Sequence, residues 1–100
     1  MRKLNYDQAR YLKKLAHGLK PVIQIGKRRL AESVMQSIER ALDDHELIKV
    51  KFVDYKDEKR ELSGLIAERT GSIVVGTIGN VSILYRENPD EEKRKIHLPT

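Results

Sequence analysis

Apolar side chains at Leu12, Leu15, Ala16 and Leu19 recur at the spacing of one helical face and predict a first helix. Asn5 can cap it, and Gln8, three residues on, can complete a capping box. Gly18, after His17, is expected to stop it in a left-handed conformation. Pro21 then opens a short apolar run, residues 22–25, that reads as a strand. A second helical stripe of Leu30, Val34, Ile38, Ala41 and Leu42 predicts a helix from about residue 30 to residue 44.

The pattern changes period over residues 46–53, where Ile48, Val50 and Phe52 alternate with Lys49 and Lys51. That alternation predicts a strand in a sheet with one wet face, and hence two main layers. After a polar break at residues 54–56, Leu62, Leu65 and Ile66 mark a third helix over about residues 57–70, stopped by Gly71. Two β-rich runs, residues 73–78 and 81–85, flank Gly79-Asn80, a strong hairpin signal. The expectation is one α/β domain of order α-β-α-β-α-β-β over residues 1–86, with a four-stranded mixed sheet. Residues 87–100, polar and with two prolines, are expected to form a flexible tail.

Charge refines this picture through its placement. Residues 1–29 hold nine Lys/Arg against the single acid Asp7, a net of +8, whereas residues 30–100 hold eleven bases and fourteen acids, a net of −3. A positive field concentrated in one segment steers polyanions better than an even scatter. Arg10, Lys13, Lys14 and His17 are spaced so that they share a second face of the first helix. No cysteine is present, which excludes disulfides, thiolate metal sites and cysteine nucleophiles. The first residues carry bases with no apolar stretch behind them, so no signal peptide is expected. No apolar run approaches a membrane span, and a cytoplasmic location is expected.

Catalytic chemistry finds little support in the sequence. His17, His45 and His97 fall in separate segments with no metal-ligand spacing, and His45 suits the negative end of a helix dipole. No serine lies in a G-x-S-x-G context, and neither common glycine-rich phosphate motif occurs. The carboxylate pairs Asp43-Asp44 and Glu91-Glu92 fall at a helix end and in the tail. A non-enzymatic protein without metal or cofactor is expected.

Phosphate binding has a mechanical basis in "GKRRL", residues 26–30. A strand ending at Ile25 and a helix starting near Leu30 leave amide donors aimed into the connecting loop. Neither Leu30 nor Ala31 can cap them, while Lys27, Arg28 and Arg29 stand beside them. Aromatic residues are few, and Phe52 and Tyr85 read as core. Tyr11 could either stack on a base or fasten its helix to the sheet. Many cations and few stacking surfaces favour readout of backbone and shape.

"LNYDQARYLKKLAHGLKPVIQIGK", "HELIKVKF" and "IGNVSILYR" together resemble the CRM domain family, in its stand-alone bacterial YhbY-like form, over residues 4–86. The resemblance implies a fold similar to the C-terminal domain of translation initiation factor three. It also implies RNA binding and association with ribosomal RNA in precursors of the large subunit. The family carries a G-x-x-G loop between strand and helix. Gly26 matches its first glycine and Lys27 the basic residue after it, Arg28 fills the variable place, and Arg29 stands where the second glycine belongs. Ala31 replaces the usual capping hydroxyl. Because arginine is unfavourable at positive φ, the loop is expected to be altered, with the helix starting early and Gly26 as its cap.

The expected RNA surface is therefore Arg10, Lys13, Lys14, His17, Lys20 and Gly26, Lys27, Arg28 and Arg29. Lys49 and Lys51 extend it only if the wet face of the sheet adjoins. The partner expected is ribosomal RNA bound by a monomer that assists subunit assembly. A general single-stranded nucleic-acid binder, or a module docking an acidic protein, are the alternatives.

Overall fold

A computed structural model describes residues 3–100. Its elements are α1 (Tyr6–Ala16), β1 (Ile23–Ile25), α2 (Glu32–His45), β2 (Leu47–Phe52), α3 (Lys59–Thr70), β3 (Ile73–Ile78) and β4 (Val81–Tyr85). Short 3-10 turns span Lys56–Glu58 and Glu91–Lys93. The order and the two-residue hairpin connection agree with the sequence pattern. The sheet runs β1-β2-β4-β3, with β1 parallel to β2 and the other two pairings antiparallel, so it is mixed as expected.

Local chemistry explains most boundaries. The Asn5 side chain accepts from the Gln8 amide while the Gln8 side chain accepts from the Asn5 amide, closing the capping box. Gly71 ends α3 at φ 68°, a left-handed stop. Gly18 does not play that part: positive φ among the described glycines is confined to Gly71 and Gly79. Instead α1 unwinds through a tight turn, in which the His17, Gly18 and Leu19 amides donate to the Lys14, Leu15 and Ala16 carbonyls.

Alternation along the strands sends side chains into two cores. Ile25, Ile48, Val50, Phe52 and Leu84 pack with Ile38 and Leu42 of α2 and Leu62 and Ile66 of α3. Leu47, Val75, Ile83 and Tyr85 point the other way, against Leu12 and Ala16 of α1. The layer count therefore differs from the two-layer expectation, because α1 covers part of the face that Lys49 and Lys51 share. Leu47, on that same face, is buried beneath it. An extra residue in β3, between Val74 and Gly76, lets Val75 join this second core.

Residues 87–100, expected to be a flexible tail, fold back across the α1 side. Ile96 and Leu98 pack against the second core, and the Gln8 side-chain Nε2 donates to the Pro99 carbonyl at 3.0 Å. Glu46 organises this return. It follows α2 with φ 63°, and its side chain is buried. One carboxylate oxygen accepts from the Lys95 and Ile96 amides at 2.7 and 3.0 Å, and the other from the Asn88 amide at 2.7 Å. A buried carboxylate thus finds three N–H donors, which offsets the cost of removing it from water.

Candidate nucleic-acid interface

Arg10, Lys13 and Lys14 are exposed on α1, and His17 and Lys20 are exposed just beyond it. Among the described residues none of these five side chains makes an ion pair. Lys13 lies across β3: a Cβ placed on Gly76 would meet its Cε at 2.9 Å. The basic helix face and the sheet are therefore in direct contact, with a flexible side chain bridging them.

The question left open by the sequence, whether Lys49 and Lys51 adjoin this surface, is decided by the register. Lys49 and Lys51 share their face with Leu47, the face on which α1 sits. The Lys49 ammonium donates to the Leu19 carbonyl at 3.0 Å, at the exit of α1. Two residues on, Lys51 stands beside Gln24 of β1, and Gly26 follows Gln24 by two. Cationic side chains thus extend from Lys20 through Lys49 to Lys51, and β1 leads from Gln24, beside Lys51, into the loop that carries Lys27 and Arg28.

The loop itself departs from the expectation of an early helix. α2 starts at Glu32 with Ala31 as its cap residue, so Gly26 is not the cap. The Arg29 amide donates to the Gly26 carbonyl at 2.9 Å, closing a turn, and the Ala31 amide donates to the Arg28 carbonyl. Arg29 adopts φ 53°, the left-handed conformation that a glycine would take there without strain. Gly26 lacks positive φ, and a Cβ there would meet only an Asp54 carboxylate oxygen at 3.9 Å.

Arg29 is held in this conformation by the segment after β2. Its guanidinium pairs with Glu58 at 3.3 Å and stands 5.7 Å from the centre of the Tyr55 ring. The Tyr55 hydroxyl donates to the Lys27 carbonyl at 3.5 Å, and Tyr55 itself has φ 55°. Lys27 and Arg28 remain exposed, with no ion-pair partner among the described residues. The cap residue of α2 offers no side-chain acceptor, as anticipated, yet Glu32 places a carboxylate in the first turn. The loop is therefore a basic turn braced by Glu58 and the Tyr55 ring, not a bare anion cradle.

Tyr55 and Glu58 escaped the sequence reading, since nothing local connects them with a turn almost thirty residues earlier. Phe52 and Tyr85 are core as expected, while Tyr11 is partly exposed on α1. Among the described residues no three His, Asp or Glu side chains converge as metal ligands, and no helix is long and apolar enough to cross a membrane.

Fold and surface together define a small α/β domain with exposed cations along α1 and its exit. The chain belongs to the CRS1/YhbY (CRM) domain family, whose model matches residues 4–86. It is 44% identical to an RNA-binding protein of Haemophilus influenzae, over 99% of this chain and 98% of that one. A probable RNA-binding protein of Pseudomonas aeruginosa is 38% identical, with 95% and 92% covered. The solution structure of a Staphylococcus aureus protein, described as a candidate RNA-binding protein, superposes with a TM-score of 0.80 at 38% identity. That alignment covers 97% of this chain and 100% of the other.

Proposed function

We propose that this protein binds RNA through the face formed by α1, Lys20, Lys49, Lys51 and the loop of residues 26–29. Its target in this reading is structured ribosomal RNA of a large-subunit precursor, and its role is non-enzymatic assistance in assembly. The observation that carries the reading is that Lys49 bonds to the exit of the basic helix while Lys51 stands beside β1, the strand that leads into the basic loop. Family membership and the RNA-binding relatives support RNA as the polyanion. Ammonium and guanidinium groups on flexible stems follow a phosphate backbone and read its shape, with no demand for a base sequence.

Salt titration with a ribosomal RNA fragment is the primary test. Phosphate contact makes log K fall linearly with log salt, by roughly 0.7 per contact for single strands. Replacing Lys27 and Arg28 by Glu should weaken binding and flatten that slope. Lys49→Glu/Lys51→Glu should do the same, since these side chains lie between the loop and α1. An unchanged slope in the second variant would remove the sheet from the interface. Co-sedimentation separates ribosomal RNA from other partners: absence from precursor fractions at physiological salt defeats the assembly role. Capture by an acidic protein with no RNA affinity would instead favour a protein-docking module.

A further inference from the structure

Beside the basic path lies an open, mainly apolar cavity of ≈ 440 Å³. Its walls are Leu15, Leu19, Val22 and Ile96, and its floor includes Leu47. Leu15, Leu19 and Val22 are 38%, 40% and 50% exposed and line one cavity together, an aliphatic patch beside exposed cations. Lys20, Lys95 and His45 also line it, and no carboxylate does. The volume lies within the usual range of small-molecule sites, about 300–1,000 Å³.

We propose that this groove receives one unpaired nucleotide of the bound RNA. The proposal rests on the RNA-binding reading and specifies what part of the RNA is engaged. A nucleotide combines an apolar face with anionic flanks, and the groove offers the complement: aliphatic walls for the base and bases of opposite charge at the rim for the adjacent phosphates. Lys20 has no ion-pair partner among the described residues. Lys49, bonded to the Leu19 carbonyl, stands beside the same wall. An apolar protein side chain would fill the cavity equally well but would leave those cations unanswered.

The groove is also constructed rather than incidental. Lys95 and Ile96 come from the tail, and the buried Glu46 carboxylate fixes both through their backbone amides. The Lys95 ammonium donates to the Asp44 carbonyl at 2.6 Å, which keeps its chain at the rim. Glu46 is thus a positioning residue, acting on the groove through the backbone of the tail.

Three RNA hairpins of one sequence test this: fully paired, with a single bulged adenosine, and with that bulge made abasic. The wild-type protein should bind the bulged hairpin at least about fivefold more tightly than the abasic one, a modest return for seating one base. Leu19→Ser removes a wall and Val22→Met fills the space, both at exposed positions. Each should abolish the preference while leaving affinity for the paired hairpin unchanged. Equal wild-type affinity for bulged and abasic hairpins overturns the proposal, as does a preference that survives both variants. If the variants bind every hairpin like wild type yet leave the precursor particles, the groove seats a protein and the nucleotide assignment is wrong. If the wild-type protein binds no RNA at physiological salt, the RNA-binding reading fails and the groove assignment falls with it.

Discussion

Arg29→Gly and Arg29→Ala should differ in stability in the direction opposite to the usual one. Arg29 sits at φ 53°, a conformation that costs an L-residue about 1–2 kcal/mol. Alanine keeps that cost and glycine removes it. Glycine in turn gives the unfolded chain extra entropy worth about 0.4–1 kcal/mol. The difference favours glycine by about 0.8 kcal/mol.

Both variants also lose the contacts of the guanidinium. The pair with Glu58, whose side chains are 43% and 42% exposed, contributes about 0.2–1 kcal/mol. The Tyr55 ring adds about 0.5–1 kcal/mol at an exposed site. Arg29→Ala should therefore lose about 1 kcal/mol or somewhat more, while Arg29→Gly should stay close to wild type. Urea unfolding followed by circular dichroism reads this as a shift in midpoint at constant slope. Arg40, exposed within α2, supplies the control, because there glycine should be worse than alanine by about 0.8–1 kcal/mol. If glycine is also the worse residue at position 29, Arg29 is not left-handed in solution and the account of the loop is wrong.

Glu46→Gln should destabilise the fold by about 1.5–3 kcal/mol, since an amide NH₂ would face a backbone donor where a carboxylate oxygen now accepts. Its specific signature is faster hydrogen exchange at the Asn88, Lys95 and Ile96 amides; unchanged exchange there would show that the carboxylate does not hold the tail. Asn5→Ala should cost about 1 kcal/mol by opening the capping box. A variant of wild-type stability in the same urea assay would mean that α1 draws its position from packing alone.

Much of the architecture was legible because period and punctuation are local properties. The alternation in β2, the Gly79-Asn80 turn and the Asn5–Gln8 box each lie within a few residues and survive folding unchanged. The layer count was obscured at Leu47, which shares the face of Lys49 and Lys51 but is outweighed by those two charges in the alternation, so that face reads as wet. Glu46 was hidden for the opposite reason. At a helix end an acid reads as solvated surface, and its three partners lie more than forty residues away.

The candidate site shows the same division at finer scale. Its cations were all visible in the sequence, because a charge placed on a predicted helix or turn stays at the surface. What holds those cations in place was not visible. The loop is shaped by Tyr55 and Glu58, the groove wall by Glu46, and the junction with α1 by the Leu19 carbonyl that receives Lys49. An acid that fixes a basic surface cancels part of its charge. Counting charges therefore ranks Asp54, Glu58 and Glu46 as dilution of the field, whereas the geometry makes Glu58 and Glu46 supports of the surface itself. It follows that Glu58→Gln should lose loop order while raising net charge. Simple electrostatics expects tighter RNA binding from that change, so weaker binding at low salt would identify bracing as the larger effect.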